Sequence, residues 1–372
     1  MESVRVSYRA RVEAGDVEAR AEALLLEQTV ELPRSAVRDA FVLREILGSV
    51  EEIAPDPDGG FRVAIAFPIA TTGLEPAQLL NVLFGNSSLL PDIELVDMEL
   101  PDSALESFGG PRFGIAGFRA AAEVPTGPLT CTALKPMGLS PEALGDLCET
   151  FARAGIDVIK DDHGLADQAF CRFEDRVRAC QVAVEKAADA TGRRSLYVPN
   201  LSGSPAALER QLRLARGFGV GAIMLSPMLI GLPVLCELAT RAGLPILAHP
   251  AFGGAQRIAP ELLLGKIFRL FGADAVIYPN QGGRFSYGAE VCRGLADALR
   301  QPWQPLAPAL PVPAGGMALE RVPELVDFYG PDAMLLIGGS LYEAGDALLE
   351  RSRSFVASVR RAFAAGAGEE RG

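Results

Sequence analysis

Two textures divide the chain. From about residue 119 onward, short apolar runs alternate with polar or glycine-rich turns and with stretches of helical period. The runs are LTCTALK (129–135), IDVIKD (156–161), SLYVPNL (195–201), AIMLSP (222–227), LPILAH (244–249), DAVIYP (274–279), ALPVPAG (309–315) and AMLLIGG (333–339). Apolar runs this short, bounded by turns, predict strands buried on both faces, as in a parallel sheet. The amphipathic stretches between them include 141–155, 172–189, 262–271 and the long 341–364. Eight strand–helix units in roughly 240 residues match the count and length of a (β/α)8 TIM barrel. The alternative is an open doubly wound sheet, but the first strand–helix turn lacks the GxGxxG that a dinucleotide site on such a sheet would need.

Residues 1–118 read differently. VRVSYRARV (4–12) alternates as a half-buried strand does, and 16–27 has helical spacing. FRVAIAFPI (61–69) and ELVDMEL (94–100) are further strands, and Pro76 opens a helix to Phe84 at a position where its missing N–H costs little. The expectation is an α/β chain: an N-terminal α+β (ferredoxin-like) domain over 1–118, with helices covering an antiparallel sheet, and a C-terminal barrel over 119–366.

Composition narrows the class of function. A chain of 372 residues with 49% hydrophobic and 22% charged residues is globular. A net charge of -12 argues against nucleic-acid binding, which needs a basic footprint. No 18-residue apolar stretch is free of charge, so no membrane span is expected. The opening MESVRVSYRARVEAGD has no cationic segment followed by an apolar core, and the six cysteines have no CxxC spacing. Both point to a reducing cytoplasm and away from a zinc site.

Candidate chemistry concentrates at the strand ends. Only four lysines stand against thirty-one arginines, and two of the four, Lys135 and Lys160, close apolar runs. Lysine can give up its proton when desolvated, whereas arginine stays charged. The only two histidines, His163 and His249, also fall at strand ends. In a barrel the C-terminal strand ends carry catalysis. Here they read Lys135, Lys160-Asp161-Asp162-His163, Asn200, Ser226, His249, Asn280, then the glycine pairs Gly315-Gly316 and Gly338-Gly339. Glycine turns after the seventh and eighth strands let backbone N–H groups approach a phosphate. The bland alternative is two tight turns. Lys160, Asp162 and His163 resemble a hard-metal site, except that an unmodified lysine repels a cation.

Taken together, KPxGLS after the first barrel strand, GxDxxKDD on the second, the strand-five histidine, a glycine-rich loop after strand six and two GG turns resemble the large subunit of ribulose-bisphosphate carboxylase/oxygenase. LLNVLFGNSSL and LLLEQTVELP resemble pieces of that family's N-terminal domain. The resemblance implies that Lys160 takes up CO2 as a carbamate and, with Asp162, holds Mg²⁺. It implies that Lys135 acts at the carbon acid, that His249 contacts substrate, and that Gly315, Gly316, Gly338 and Gly339 hold a phosphate. Asn81, with Glu27 and Thr29, would reach the site of a second subunit, giving a homodimer with interfacial active sites.

Departures from that pattern argue against CO2 fixation. Met137 stands where the carboxylase has a second lysine, His163 replaces its third metal ligand, a glutamate, and Ile277 replaces a histidine. Arg284 takes the place of the loop lysine after strand six, and Pro250-Ala251-Phe252-Gly253-Gly254 replaces a basic, histidine-rich stretch. The chain therefore resembles the type IV, RuBisCO-like proteins. What remains can make and hold an enolate on a small phosphorylated sugar or sugar acid. One fitting reaction is isomerisation of 5-methylthioribulose 1-phosphate. Another is decarboxylation of a phosphorylated β-keto acid such as 3-oxo-isoapionate 4-phosphate, with Arg284 at the departing carboxylate. The ketopentane-phosphate enolase of methionine salvage ranks behind these, because its relatives usually keep KDDE. A non-catalytic regulator with the inherited fold is the remaining class.

Overall fold

A computed structural model describes residues 2–285 and 287–369. The N-terminal sheet comprises β1 (Ser3–Ala10), β2 (Ser49–Pro55), β3 (Phe61–Pro68) and β4 (Ile93–Glu99), in the antiparallel order β2-β3-β1-β4. With helices Val17–Glu27 and Pro76–Phe84 between the strands, this is the expected ferredoxin-like arrangement. The alternation in β1 buries Val4, Val6, Tyr8 and Ala10, and the Tyr8 hydroxyl donates to Leu83 O at 2.6 Å, fixing a helix on the sheet.

β2 is absent from the hydropathy reading for a physical reason. Its register slips between Val50 and Glu52, so the period of two breaks. Glu51 and Glu52 lie on an exposed edge, where both pair with Arg5.

Eight parallel strands follow: β5 (Leu129–Leu134), β6 (Val158–Asp161), β7 (Leu196–Val198), β8 (Ile223–Leu225), β9 (Ile246–Ala248), β10 (Ala275–Pro279), β11 (Leu310–Ala314) and β12 (Met334–Leu336). Their order is β7-β6-β5-β12-β11-β10-β9-β8. A bridge between Asn200 and Met224 closes the ring, with Met224 N donating to Pro199 O and Leu201 N to Met224 O. Cys131, Val158, Val198, Met224, Leu247, Ile277 and Val312 belong to one buried cluster filling the barrel. Phe118 and Ala122 join that cluster from helix Gly114–Ala122, so the residue-118 boundary cuts a helix that packs with the barrel.

The expected helix over 262–271 is wound as a π-helix from Glu261 to Ile267 before tightening at Phe268–Leu270. The expected long terminal helix is broken: Gly339–Tyr342, a short 3₁₀ turn, then Leu348–Glu369. No helix among the described residues is long and apolar enough to cross a membrane.

The two domains are joined at a sheet edge. Leu95 N donates to Arg257 O at 3.0 Å and Ala259 N to Leu95 O at 2.9 Å, so the loop after β9 lies along β4. The Arg257 guanidinium also donates to Ile93 O at 3.1 Å and Leu90 O at 2.8 Å.

Candidate active site

Period-two alternation aims Val158 and Lys160 into the barrel and Ile159 and Asp161 away from it. Across the mouth four side chains form a continuous line. Lys135 Nζ lies 2.7 Å from Asp162 Oδ1, and His163 Nδ1 lies 3.6 Å from that same oxygen. The His163 ring stacks on His249 at 4.2 Å between centroids, with 14° between planes. Because β5 and β9 are four places apart in a ring of eight, this line joins opposite walls.

The electrostatics follow from burial and proximity. Lys160 is 3% exposed, and its Nζ donates to Asp161 O at 2.8 Å. Burial pushes its pKa down and the neighbouring charge of Lys135 adds to that, against the pull of Asp162. Burial opposes ionisation of Asp162, but contacts with His163 and Lys135 and the charge on Lys160 outweigh it, so its carboxyl sits well below the usual range. Burial, then Lys160 and His163, hold His249 well below its ordinary value. Ala251 N donates to His249 Nδ1 at 3.1 Å, so the proton of the neutral ring is on Nε2.

A pH effect on stability follows. The unfolded chain protonates this histidine near pH 6.5 while the folded chain resists, so the unfolded state binds the extra proton. Stability should therefore fall as pH drops below about 6.5. Urea denaturation at pH 7.5 and 5.5 should give a smaller difference for His249→Asn than for the parent; an equal difference would refute this assignment.

Behind the line, buried polar groups hold the loop that carries it. Asp161 is fully buried and accepts from Arg176 Nε at 3.0 Å, Tyr197 OH at 2.9 Å and Asn200 N at 3.0 Å. Arg176 also donates to Ala166 O at 2.7 Å, and Asn200 Nδ2 to His163 O and Leu165 O. Tyr342 fixes the other wall: Lys135 N donates to its hydroxyl, which donates to Ala133 O. Asn280, a strand-end residue, serves packing, since its Oδ1 accepts from Tyr329 OH at 2.6 Å.

The glycine turns border this line. A side chain at Gly338 would place its Cβ 3.9 Å from Lys135 Cε, and Gly339 faces open space. Gly315 and Gly316 have φ of +85° and +70°. A Cβ at Gly316 would fall 2.6 Å from Arg284 N, so the turns after β10 and β11 lie backbone against backbone. The Arg284 side chain is exposed and its guanidinium lies 4.9 Å from the Phe285 ring centroid. Asn81 is exposed on the N-terminal domain, its side chain 3.5 Å from Gln78 Oε1. Glu27 Oε1 accepts from Asn86, and the Thr29 hydroxyl bonds within its own helix end. A shallow concavity of about 430 Å³ between Arg11, Glu13, Asp16 and Gly60 contains none of these side chains.

With this geometry in place, residues 114–363 match the sequence model of the ribulose bisphosphate carboxylase large chain, catalytic domain. The chain belongs to that family. It is a RuBisCO-like member. A Rubisco-like protein from Rhodopseudomonas palustris superposes with a TM-score of 0.90 at 46% identity, covering 97% of this chain and 98% of the other. A protein from Rhodospirillum rubrum named 5-methylthioribulose-1-phosphate isomerase is 47% identical, covering 98% of each chain. A protein from Geobacillus thermodenitrificans named 2,3-diketo-5-methylthiopentyl-1-phosphate enolase is 35% identical over 81% of this chain and 75% of its own.

The RuBisCO-like site fits Mg²⁺ in one state only. Unmodified, it offers one carboxylate between the ammonium of Lys135 and the buried amine of Lys160. Among the described residues no three His, Cys, Asp or Glu side chains gather to hold a metal ion. A carbamate on Lys160 replaces the amine by anionic oxygens, which suit a hard cation. Burial favours the neutral amine that such a reaction needs.

Sequence reasoning missed Arg176, Tyr197 and Tyr342. Arg176 did leave a signal: it interrupts the apolar stripe Phe173, Val177, Cys180, Val184, Ala187 of its helix, all of which are buried.

Proposed function

We propose that this RuBisCO-like protein is a Mg²⁺-dependent, enolate-forming isomerase of 5-methylthioribulose 1-phosphate, active with Lys160 carbamylated. The observation that carries the reading is the line Lys135–Asp162–His163–His249, which sets two proton-moving groups on opposite walls of one mouth. The Rhodospirillum rubrum relative named 5-methylthioribulose-1-phosphate isomerase, at 47% identity, supports the choice of reaction.

Lys160 as carbamate and Asp162, with His163 as the candidate third ligand, would hold the ion. When bound it would polarise the ketone and neutralise the developing oxyanion. Lys135 Nζ, fixed beside Gly338 by the Tyr342 contacts to its backbone, would as the free amine take the proton from the carbon next to the ketone. His249 presents Nε2–H to the mouth, because Ala251 occupies its Nδ1, and so donates rather than accepts. Removing the proton from C3 gives an enediolate across C2 and C3, and returning a proton at C2, with the O3 hydroxyl proton passing to O2, shifts the carbonyl to C3. The turns Gly315-Gly316 and Gly338-Gly339 would receive the phosphate. Asn81, Glu27 and Thr29 lie on the N-terminal domain and would serve the mouth of a second copy.

Incubation with Mg²⁺, bicarbonate and 5-methylthioribulose 1-phosphate in D2O, followed by ³¹P and ¹³C NMR, tests the reading. An isomeric ketose phosphate carrying carbon-bound deuterium is expected. No turnover of this ketose, together with CO2 release from a phosphorylated β-keto acid, would overturn it.

A further inference from the structure

Resting on that reading, we infer that Phe252 determines specificity: it receives the uncharged tail at the end of the substrate remote from the phosphate. The ring geometry sets where that tail falls. The glycine turns follow β11 and β12, and Lys135 stands next to them at the end of β5; across the ring β8 faces β12, and β9, which carries His249, faces β5. A substrate anchored by phosphate at the turns, with its reacting carbons between Lys135 and His249, extends toward the loop after β9.

That side of the mouth offers no cation to a second anionic group. From Ser226 through Leu238 after β8, and from His249 through Gln256 after β9, there is no lysine or arginine. The next one, Arg257, is committed to the carbonyls of Leu90 and Ile93 in the N-terminal sheet. A second phosphate or a carboxylate would have no partner there, whereas an apolar group would.

Phe252 is what the loop presents instead. It is 62% exposed, and Leu229 after β8 is 57% exposed on the same side. Its φ is +67°, a conformation that is strained for a bulky side chain and natural for glycine. Glycines stand at the next two positions, 253 and 254, yet phenylalanine occupies the strained one. Strain of this kind persists where surrounding structure enforces it and clusters at ligand sites. The surrounding structure is a tight turn held on both sides: Ala251 N bonds His249 Nδ1, Gly253 N bonds Pro250 O, and Ala255 N bonds Phe252 O. The aromatic ring is thus carried on the same rigid turn that fixes the His249 tautomer.

The test uses binding, so that it does not depend on turnover. Affinities of 5-methylthiopentyl phosphate and 5-hydroxypentyl phosphate are measured by calorimetry for the full chain, for Phe252→Gly and for Phe252→Leu. Glycine suits the backbone conformation, so that variant folds. The parent should prefer the methylthio ligand by about ten-fold or more, glycine should collapse the difference to about two-fold, and leucine should retain part of it. A preference unchanged in Phe252→Gly would overturn the inference. So would equal loss of both ligands together with a changed oligomeric state, which would assign Phe252 to a contact between copies. A parent that discriminates between tails yet turns over no ketose phosphate would count against the isomerase reading and leave Phe252 as the tail's receptor.

Discussion

Lys160→Met should lower turnover of 5-methylthioribulose 1-phosphate by at least about 10³-fold, the scale expected when a preorganised charge that stabilises the oxyanion is removed. The position is almost sealed from solvent, and methionine fills a similar volume without a charge, so the fold should survive. Lys160→Arg should be as inactive, because guanidinium neither sheds its proton nor takes up CO2. Supplying bicarbonate should raise the activity of the parent and of neither variant. Mn²⁺ binding followed by electron paramagnetic resonance gives a second readout: bicarbonate should tighten it in the parent alone. Retention of more than a tenth of parental activity by either variant would refute the carbamate and, with it, the metal centre.

Arg176→Met should destabilise the fold by about 3–5 kcal/mol, the usual cost of leaving one partner of a buried ion pair alone. Both side chains of the Arg176–Asp161 pair are fully shielded from water. Asp161 would keep Tyr197 and the Asn200 N–H, too little for a carboxylate with no access to solvent. The loss of the Ala166 contact would also loosen the loop bearing Asp162 and His163, so activity should fall beyond what lower stability explains. Replacing both partners, as Arg176→Met with Asp161→Leu, should recover much of the stability but not the activity. Urea titrations of the single and double variants check the first part, and kcat at a temperature where each is folded checks the second. A single variant losing under about 1 kcal/mol would mean that the pair is dispensable.

The barrel was legible because its strands are apolar on both faces and end in turns, a pattern that survives errors of a residue or two. β2 was not, since a register slip and two glutamates on an open edge erase the alternation that marks a strand. The candidate site residues were legible through scarcity: two of only four lysines and both histidines fall at strand ends. Their supports were not, because adjacency in sequence conceals orientation. Asp161 and Asp162 are neighbours, yet one faces a helix and the other the mouth, and the partners of Asp161 come from 15 and 36 residues further along. Separations of that kind are set by how helices pack on strands, which hydropathy does not encode. Resemblance to the family supplied the expectation of a carbamate, a metal and a second copy, none of which periodicity or spacing could reach.

The Arg257 contacts bear on how this protein can be taken apart. The segment that shapes the far side of the mouth is borrowed as an extra rung by the amino-terminal sheet. A barrel excised at residue 114 would keep its lysines and lose the ledge on which that segment rests. Transplanting substrate preference between relatives would then mean moving β4 and this segment together, as one piece of hardware.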